Sequence, residues 1–205
     1  MNPNASVEFF DQQFRRQVAA GEYALNPFES AALPHLRGKV LDYGCGLGNL
    51  AIEAARRGCS VLALDASHAA IDHLRTVAEQ GGLPVRVVEA DLQSFELTED
   101  FDAVACIGLL MFFDCPAALR QLSQLQARVR PGGVAVVNVL TDGTTFLDMF
   151  APEGYCLLKP DDLRARFADW EILSFTPQEF PAPNNTRKVF ITIIARKPHA
   201  AGNGA

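Results

Sequence analysis

Three glycines lie in the stretch VLDYGCGLGNLAIEAARRG, residues 40–58, between an apolar segment and a helix-like segment. Gly44, Gly46 and Gly48 stand at alternate positions. Glycine has no side chain, so its backbone can turn tightly and approach a ligand closely, at a cost in conformational entropy. Three such residues in one short loop predict a ligand-binding site.

Acidic residues accompany three consecutive apolar segments. Asp42 stands two positions before the first glycine, Asp65 ends SVLALD, and Asp91 ends PVRVVEAD. Ligands of open parallel sheets bind at the carboxyl ends of the strands, so these side chains are predicted to meet at one site. A carboxylate at position 65 can accept hydrogen bonds from two ribose hydroxyls, and one at position 91 can accept from an adenine amino group. The pattern indicates a ligand that contains adenosine.

Two adenosine-containing ligands compete for this loop. A dinucleotide loop has the pattern G-x-G-x-x-G, whereas this loop reads G-x-G-x-G and has Asn49 where the third glycine would stand. Asp42 would repel a pyrophosphate and attract an ammonium or sulfonium group. The charge therefore favours S-adenosyl-L-methionine. A nicotinamide-dependent oxidoreductase is the alternative, and it would require binding of the dinucleotide.

Apolar segments alternate with helical patterns after residue 38. Gly58 ends the helix that follows the glycine loop, Ser67 caps the next helix, and Pro116 begins a third. Strands are predicted at 39–44, 60–65, 84–91, 101–108 and 134–140, the last after a turn at PGG (131–133). The order predicts an α/β fold: a Rossmann-like, doubly wound, mostly parallel seven-stranded sheet with a closing antiparallel C-terminal hairpin.

The bulk composition argues against several classes of protein. The 205 residues are 49% hydrophobic and 20% charged, with a formal net charge of -6, which gives no general attraction to nucleic acid or to an acidic membrane. The N-terminus lacks the pattern of a secretory signal, and no uninterrupted apolar stretch approaches about 18 residues. We therefore expect a cytoplasmic protein with neither nucleic acid nor membrane as a partner.

The cysteines and histidines show no functional spacing. The five cysteines include no C-x-x-C pair, so we expect small buried hydrophobic residues and no disulfide framework. The four histidines have no metal-ligand spacing, and no metal is expected. The cysteines are Cys45, Cys59, Cys106, Cys115 and Cys156.

The quoted motifs together resemble a known family. VLDYGCGLG, ALDAS, EADL and FDAVACIGLLMFF resemble, in order and spacing, the nucleotide-side motifs of class I S-adenosylmethionine-dependent methyltransferases. RPGG and the C-terminal hairpin extend the likeness over roughly residues 38–197. LLMFF, LLKPDDLRARFADWEIL and FITIIARK further resemble the tellurite-resistance branch. That branch carries a histidine before the last strand, where this sequence has QEFPAPNNT without one.

The resemblance implies S-adenosyl-L-methionine as cofactor, S-adenosyl-L-homocysteine as product, and a role for each matching position. Asp42, Gly44, Cys45 and Gly46 would line the methionine end. Asp65 would bind the ribose, while Ala66, Asp91 and Leu92 would contact the adenine. Ile107 would offer its backbone near the sulfonium, and Leu109 and Phe112 would border the methyl group.

The methyl acceptor is expected beneath two covering segments. Residues 1–37 form the predicted N-terminal cap, 38–197 the methyltransferase domain and 198–205 a disordered tail, while 141–159 is a loop or lid. The cap carries an aromatic cluster of Phe9, Phe10, Phe14, Tyr23 and Phe28.

Several acceptors and roles stay open at this point. Tyr23, Arg187 and Lys188 are the candidate catalytic or acceptor-binding residues. The acceptor is a small molecule, either a tellurite-like oxyanion or other soft nucleophile, or an organic thiol, amine or phenol. A non-catalytic cofactor-binding module is a further alternative. The protein is expected to be a monomer or a homodimer.

Overall fold

A seven-stranded sheet forms the centre of the molecule. The computed structural model describes residues 5–150 and 154–199. The strands are β1 Lys39–Tyr43, β2 Ser60–Asp65, β3 Val85–Glu89, β4 Phe101–Ile107, β5 Val129–Leu140, β6 Glu171–Ala182 and β7 Thr186–Arg196. Their order is β3-β2-β1-β4-β5-β7-β6. The first five strands pair in parallel, and β7 runs antiparallel between β5 and β6. The predicted sheet and its closing hairpin are confirmed.

The helices begin where capping residues stand in the sequence. The Ser67 hydroxyl accepts a hydrogen bond from the amide of Ala70, and Asp114 caps the amide of Ala117 in the same way. Within the described residues, no helix has the length and apolar character required to cross a membrane. The helices are α1 Ala5–Ala20, α2 Pro27–Ala32, α3 Asn49–Arg56, α4 His68–Gly81, α5 Cys115–Ala127 and α6 Pro160–Ala165, with short 3-10 turns at Leu33–His35, Leu110–Phe112 and Pro183–Asn185.

Both faces of the central strands are buried, as the uninterrupted apolar segments predict. Successive residues of β1 enter different cores: Val40 packs with the helices on one face and Leu41 with those on the other. Residues Ala103 and Val104 of β4 divide in the same way. This packing leaves the carboxyl ends of the central strands free to form a site.

The PGG segment interrupts the pairing within β5 rather than preceding the strand: a step of two residues in β4, from Phe101 to Ala103, faces a step of five in β5, from Val129 to Val134. Strand β5 begins at Val129, so Pro131, Gly132 and Gly133 lie within it. A Cβ atom on Gly133 would lie 2.7 Å from the carbonyl oxygen of Asp102 in β4. Glycine is therefore required there by the close approach of two strands, and the sequence alone did not distinguish this from a turn.

The expectation that all five cysteines are separate buried residues is wrong. Cys115, at the start of α5, forms a disulfide with Cys156, and the two lie 41 positions apart. Cys115 is also exposed. The other three cysteines are free and buried. Residues 200–205, most of the expected disordered tail, lie outside the described residues.

Candidate functional site

A large cavity opens at the carboxyl ends of the parallel strands, where the strand order reverses between β1 and β4. Its volume is about 1520 Å³, and both α1 and the glycine loop contribute to its wall. Pockets that hold one drug-sized ligand measure roughly 300–1,000 Å³. The cavity therefore has room for a large ligand and a second small molecule.

The glycine loop is fixed by hydrogen bonds to the end of β2. The amides of Gly44 and Cys45 donate to the carbonyl of Leu64 at 2.8 and 2.9 Å. Gly46 has φ 51°, and a Cβ atom on it would lie 3.0 Å from Cζ of Phe14 in α1. Glycine thus satisfies both a left-handed backbone and the close approach of a ring.

Asp42 is a buried carboxylate without a full set of partners. It is 4% exposed, and its Oδ2 has no hydrogen-bond partner. Burial, followed by the negative charges of Glu29 and Asp65, raises the pKa of Asp42 to about 8. Burial also raises the pKa of Glu29, whose carboxylate accepts from the amide of Asn26. A buried polar atom without a partner marks a place where a ligand can complete the hydrogen bonds.

Asp65 and Asp91 are held at the ends of neighbouring strand segments. Oδ2 of Asp65 accepts from the amide of Gly46 and Oδ1 from that of Ser67, both at 2.8 Å. Asp91 accepts from the Gln93 amide and the Ser94 hydroxyl, which closes a turn after β3. Ionised carboxylates have about four lone-pair positions, so both retain capacity for a ligand.

Helix α1 is attached to the cavity by a polar contact. Oδ1 of Asp11 accepts from the Ser67 hydroxyl and the Ala69 amide, each at 2.9 Å. This contact holds the helix across the start of α4 and places Phe10 and Phe14 in the cavity wall. The residues of the aromatic cluster do not all serve this site, because Phe28 packs against rings of β6 and β7 instead.

The candidates for catalysis are not brought together. Tyr23 lines the cavity, but its hydroxyl donates to the carbonyl of Val18 and its ring stacks on His73. Arg187 donates through Nε to the carbonyl of Gly143, and the ammonium of Lys188 lies over the ring of Phe146. Neither basic residue belongs to the described lining of the cavity.

The predicted cofactor-binding residues, by contrast, converge. All nine of them line the cavity: Asp42, Gly44, Cys45, Gly46, Asp65, Ala66, Asp91, Leu92 and Ile107. Leu109 and Phe112 line it as well. Of the expected lid, described at 141–150 and 154–159, Gly154 reaches the lining.

Two cavity residues were missed by sequence reasoning. Asp11 lies in the middle of α1 with no motif around it. Glu29 could have been found, because Asn26, Pro27 and Glu29 form a capping box at the start of α2.

The site contains neither a metal centre nor an activated thiol in the parts of the chain described. No group of three or more potential metal ligands occurs there. Burial raises the pKa of the Cys45 thiol well above its usual range, so this cysteine stays protonated.

Comparisons with known proteins agree with this geometry. Residues 40–133 match the family model described as a methyltransferase domain. The chain is 30% identical over 166 residues to Hemagglutinin 1 of Eikenella corrodens, covering 78% of this chain and 55% of that protein. It is 35% identical over 98 residues to a ubiquinone biosynthesis O-methyltransferase of Acinetobacter baylyi, covering 46% of this chain and 40% of that protein. The chain thus spans about half the length of these curated relatives.

The fold has a close structural counterpart. TehB from Haemophilus influenzae superposes with a TM-score of 0.74 at 19% identity, covering 88% of this chain and 65% of that one. The segment matched by the family model contains Asp42, the three loop glycines, Asp65 and Asp91. Residues 40–133 are thus similar in sequence to methyltransferase domains, and the chain shares the Rossmann-like α/β fold of TehB.

Proposed function

We propose that this chain transfers a methyl group from S-adenosylmethionine to a small organic acceptor. The observation that carries the proposal is the convergence of the glycine loop, the unpartnered oxygen of Asp42 and the carboxylate of Asp65 in one cavity with room for two molecules. A cationic cofactor fits these acceptor groups, because its ammonium group supplies the hydrogen-bond donor that Oδ2 of Asp42 lacks.

The proposed cofactor roles are those that the sequence resemblance implies for these residues of the cavity lining. Asp42 binds the ammonium group directly or through water, and the backbone of the glycine loop borders the methionine end. Asp65 accepts from the ribose hydroxyls, and Ile107 borders the sulfonium through its backbone. Ala66, Asp91 and Leu92 surround the adenine.

The protein contributes positioning and the exclusion of water. When bound, S-adenosylmethionine supplies a methyl group on a sulfonium sulfur: an acceptor lone pair bonds to that carbon, and the electron pair of the broken S–C bond returns to sulfur. Of the 1–37 cap, the described residues 5–37 cover the site in this proposal, since Phe14 of α1 lies against Gly46 and Phe10 lines the same cavity. Correct alignment of reacting atoms supplies much of the rate enhancement in such displacements.

The lining favours an organic acceptor over a tellurite-like oxyanion. No Lys or Arg occurs in the described lining, and Arg187 and Lys188 contact other loops. The name of the Acinetobacter baylyi relative, an O-methyltransferase of ubiquinone biosynthesis, supports methylation of an organic molecule. The likeness to TehB, at 19% identity, supports the fold alone.

Release of S-adenosylhomocysteine by the purified protein tests the proposal. The acceptors are tellurite, selenite, and small thiols, phenols and amines, each with S-adenosylmethionine. We expect release with an organic acceptor and its loss in Asp65→Ala. Saturable cofactor binding without transfer to any acceptor would support a non-catalytic binding module. Absence of cofactor binding would contradict the proposal.

A further inference from the structure

The charge of the cavity restricts what can bind beside the cofactor. Nine of its described lining residues are Asp or Glu, and none is Lys or Arg. The imidazole of His68 is paired with Asp72 and Glu89 at 3.0 and 2.9 Å. One of the nine carboxylates, Asp42, is buried with an unpartnered oxygen. The other eight carboxylates of the described lining would repel a second anion on entry.

A row of aromatic rings borders the same cavity. Phe10 of α1 meets Phe112 edge to face, with ring centroids 4.8 Å apart, and Phe14 lies 5.9 Å from Phe10. Behind Phe112, the ring of Phe150 lies at 5.2 Å and stacks on Tyr155 at 4.8 Å. The row therefore joins the N-terminal helix to the 141–159 loop, and Phe112 is held by rings on both sides.

We propose, on the basis of the methyltransferase function above, that the acceptor is a planar aromatic molecule without negative charge, which lies against Phe10 and Phe112 and takes the methyl group on a neutral ring nitrogen. Flat rings gain both buried area and favourable ring contacts from such a wall. An oxyanion gains neither and meets the carboxylates.

A neutral nitrogen also satisfies the chemistry without a further reactant. Its lone pair forms the N–C bond, the S–C electron pair returns to sulfur, and the positive charge passes from sulfur to the acceptor. No proton leaves in this step, so no general base is required. The reacting pair carries one positive charge throughout, which the surrounding carboxylates and aromatic faces stabilise. A phenol reacts best as its anion, which this lining disfavours.

Matched pairs of probes test the charge and the ring separately. Binding to the complex of the protein with S-adenosylhomocysteine is measured by calorimetry at pH 7.5. The neutral probes are quinoline and benzimidazole. The anionic probes are quinoline-4-carboxylate, benzimidazole-5-carboxylate and tellurite. We expect each neutral ring to bind at least tenfold more tightly than its carboxylate, and to yield an N-methylated product when S-adenosylmethionine replaces the homocysteine.

Three variants test whether the probes bind in the cavity. Phe112→Leu keeps an apolar side chain but removes the ring, and we expect at least tenfold weaker binding of the neutral probes. Phe180→Leu makes the same exchange in the cluster with Phe28 and Phe190, outside the described lining, and should change nothing. Gln13→Lys adds a cation to the lining, so the carboxylate probes should bind several-fold more tightly.

The outcomes separate this inference from the proposed function. Equal binding of the two probe series, binding of neither, or an unchanged affinity in Phe112→Leu overturns the inference. Failure of the unaltered protein to bind S-adenosylhomocysteine overturns the proposed function itself. Each variant must retain its affinity for S-adenosylhomocysteine within about twofold, which shows that its fold is intact.

Discussion

The carboxylate of Asp65 accepts a hydrogen bond from the amide of Gly46 at 2.8 Å. Its other oxygen accepts from the amide of Ser67, the residue that caps α4. One side chain at the end of β2 therefore fixes both the glycine loop and the start of a helix. Any group that binds between them meets a site that is already arranged, which lowers the cost of binding.

We expect Asp65→Ala to weaken the binding of S-adenosylhomocysteine by about a hundredfold, since two hydrogen bonds to a charged group are worth roughly 3 kcal/mol in total. Calorimetric titration measures the affinity. Asp72→Ala is the matched control, because Asp72 is an exposed carboxylate on the neighbouring α4 helix. A loss of less than threefold in Asp65→Ala would show that the ribose is bound elsewhere.

The affinity for S-adenosylmethionine should rise with pH because of Asp42. Its pKa of about 8 in the free protein means that the carboxyl is largely protonated at neutral pH. An ammonium group binds the ionised form, so binding releases close to one proton. Linkage then predicts up to about a tenfold gain in affinity from pH 6 to pH 7. Titrations in buffers of different ionisation enthalpy measure the released proton, and Asp42→Asn should abolish both effects.

The Asp42 carboxyl should also make the ligand-free protein less stable as the pH rises. The pKa of Asp42 is raised on folding, so the folded state binds more protons than the unfolded state between about pH 4 and pH 8. The free energy of unfolding therefore falls across this interval, and Asp42→Asn should flatten the slope. A denaturant series at several pH values measures it. An identical slope in both proteins would mean that Asp42 is ionised in the folded state.

Much of this site could be predicted because its residues obey local rules. Asp42, Asp65 and Asp91 follow apolar segments that can only be buried strands, and parallel strands bring their ends together. The glycine loop needs no long-range information either, since left-handed backbone is required where the chain turns into α3. These features follow from short-range pattern and sheet geometry.

The rest depends on contacts that sequence spacing does not encode. Phe14 and Phe28 belong to one aromatic segment, yet Phe14 covers the glycine loop and Phe28 packs on β7. Arg187 stands at the start of β7, and its guanidinium donates to the carbonyl of Gly143. The packing of the two segments, and not the charge of Arg187, decides this contact. Disulfide partners cannot be deduced from spacing at all, so Cys115 and Cys156 were read as separate.

Two glycines with the same backbone constraint should respond differently to alanine. Gly48 has φ 74°, and a Cβ atom on it would lie 2.4 Å from Cδ1 of the fully buried Leu74. Gly58 has φ 90° with no atom within 4 Å of such a Cβ. We expect Gly58→Ala to cost about 1 kcal/mol from backbone strain alone. Gly48→Ala should cost an additional 1–3 kcal/mol or so from overpacking.

Urea denaturation of the two glycine variants measures this difference. Both variants change one glycine to alanine, so the difference between their unfolding free energies isolates the packing against Leu74. Equal destabilisation of the two variants would mean that α3 and α4 can move apart without cost to accommodate the added methyl group. In that case the third glycine serves the ligand rather than the helix packing.

The disulfide between Cys115 and Cys156 should stabilise the loop that follows β5. It joins the start of α5, directly after Asp114 of the cavity lining, to a segment whose backbone also bonds to Met111. Closing a loop of 41 positions restricts the unfolded chain, which corresponds to a stabilisation of up to about 4 kcal/mol. Reduction should therefore lower the denaturation midpoint without unfolding the sheet, because both cores include residues from several strands.

Thiol titration decides whether this bond is present in solution. The denatured protein should show three reactive thiols before reduction and five after it, since three of the five cysteines are free. Cys115→Ser and Cys156→Ser should each reproduce the lowered midpoint of the reduced protein, and reductant should then have no further effect on it. Cys59→Ala, a change at a buried free cysteine, should keep its response to reductant. Five reactive thiols in the unreduced protein would contradict the prediction, and the 141–159 loop would then be held by its aromatic contact with Phe112 and its backbone hydrogen bonds to β7 and Met111.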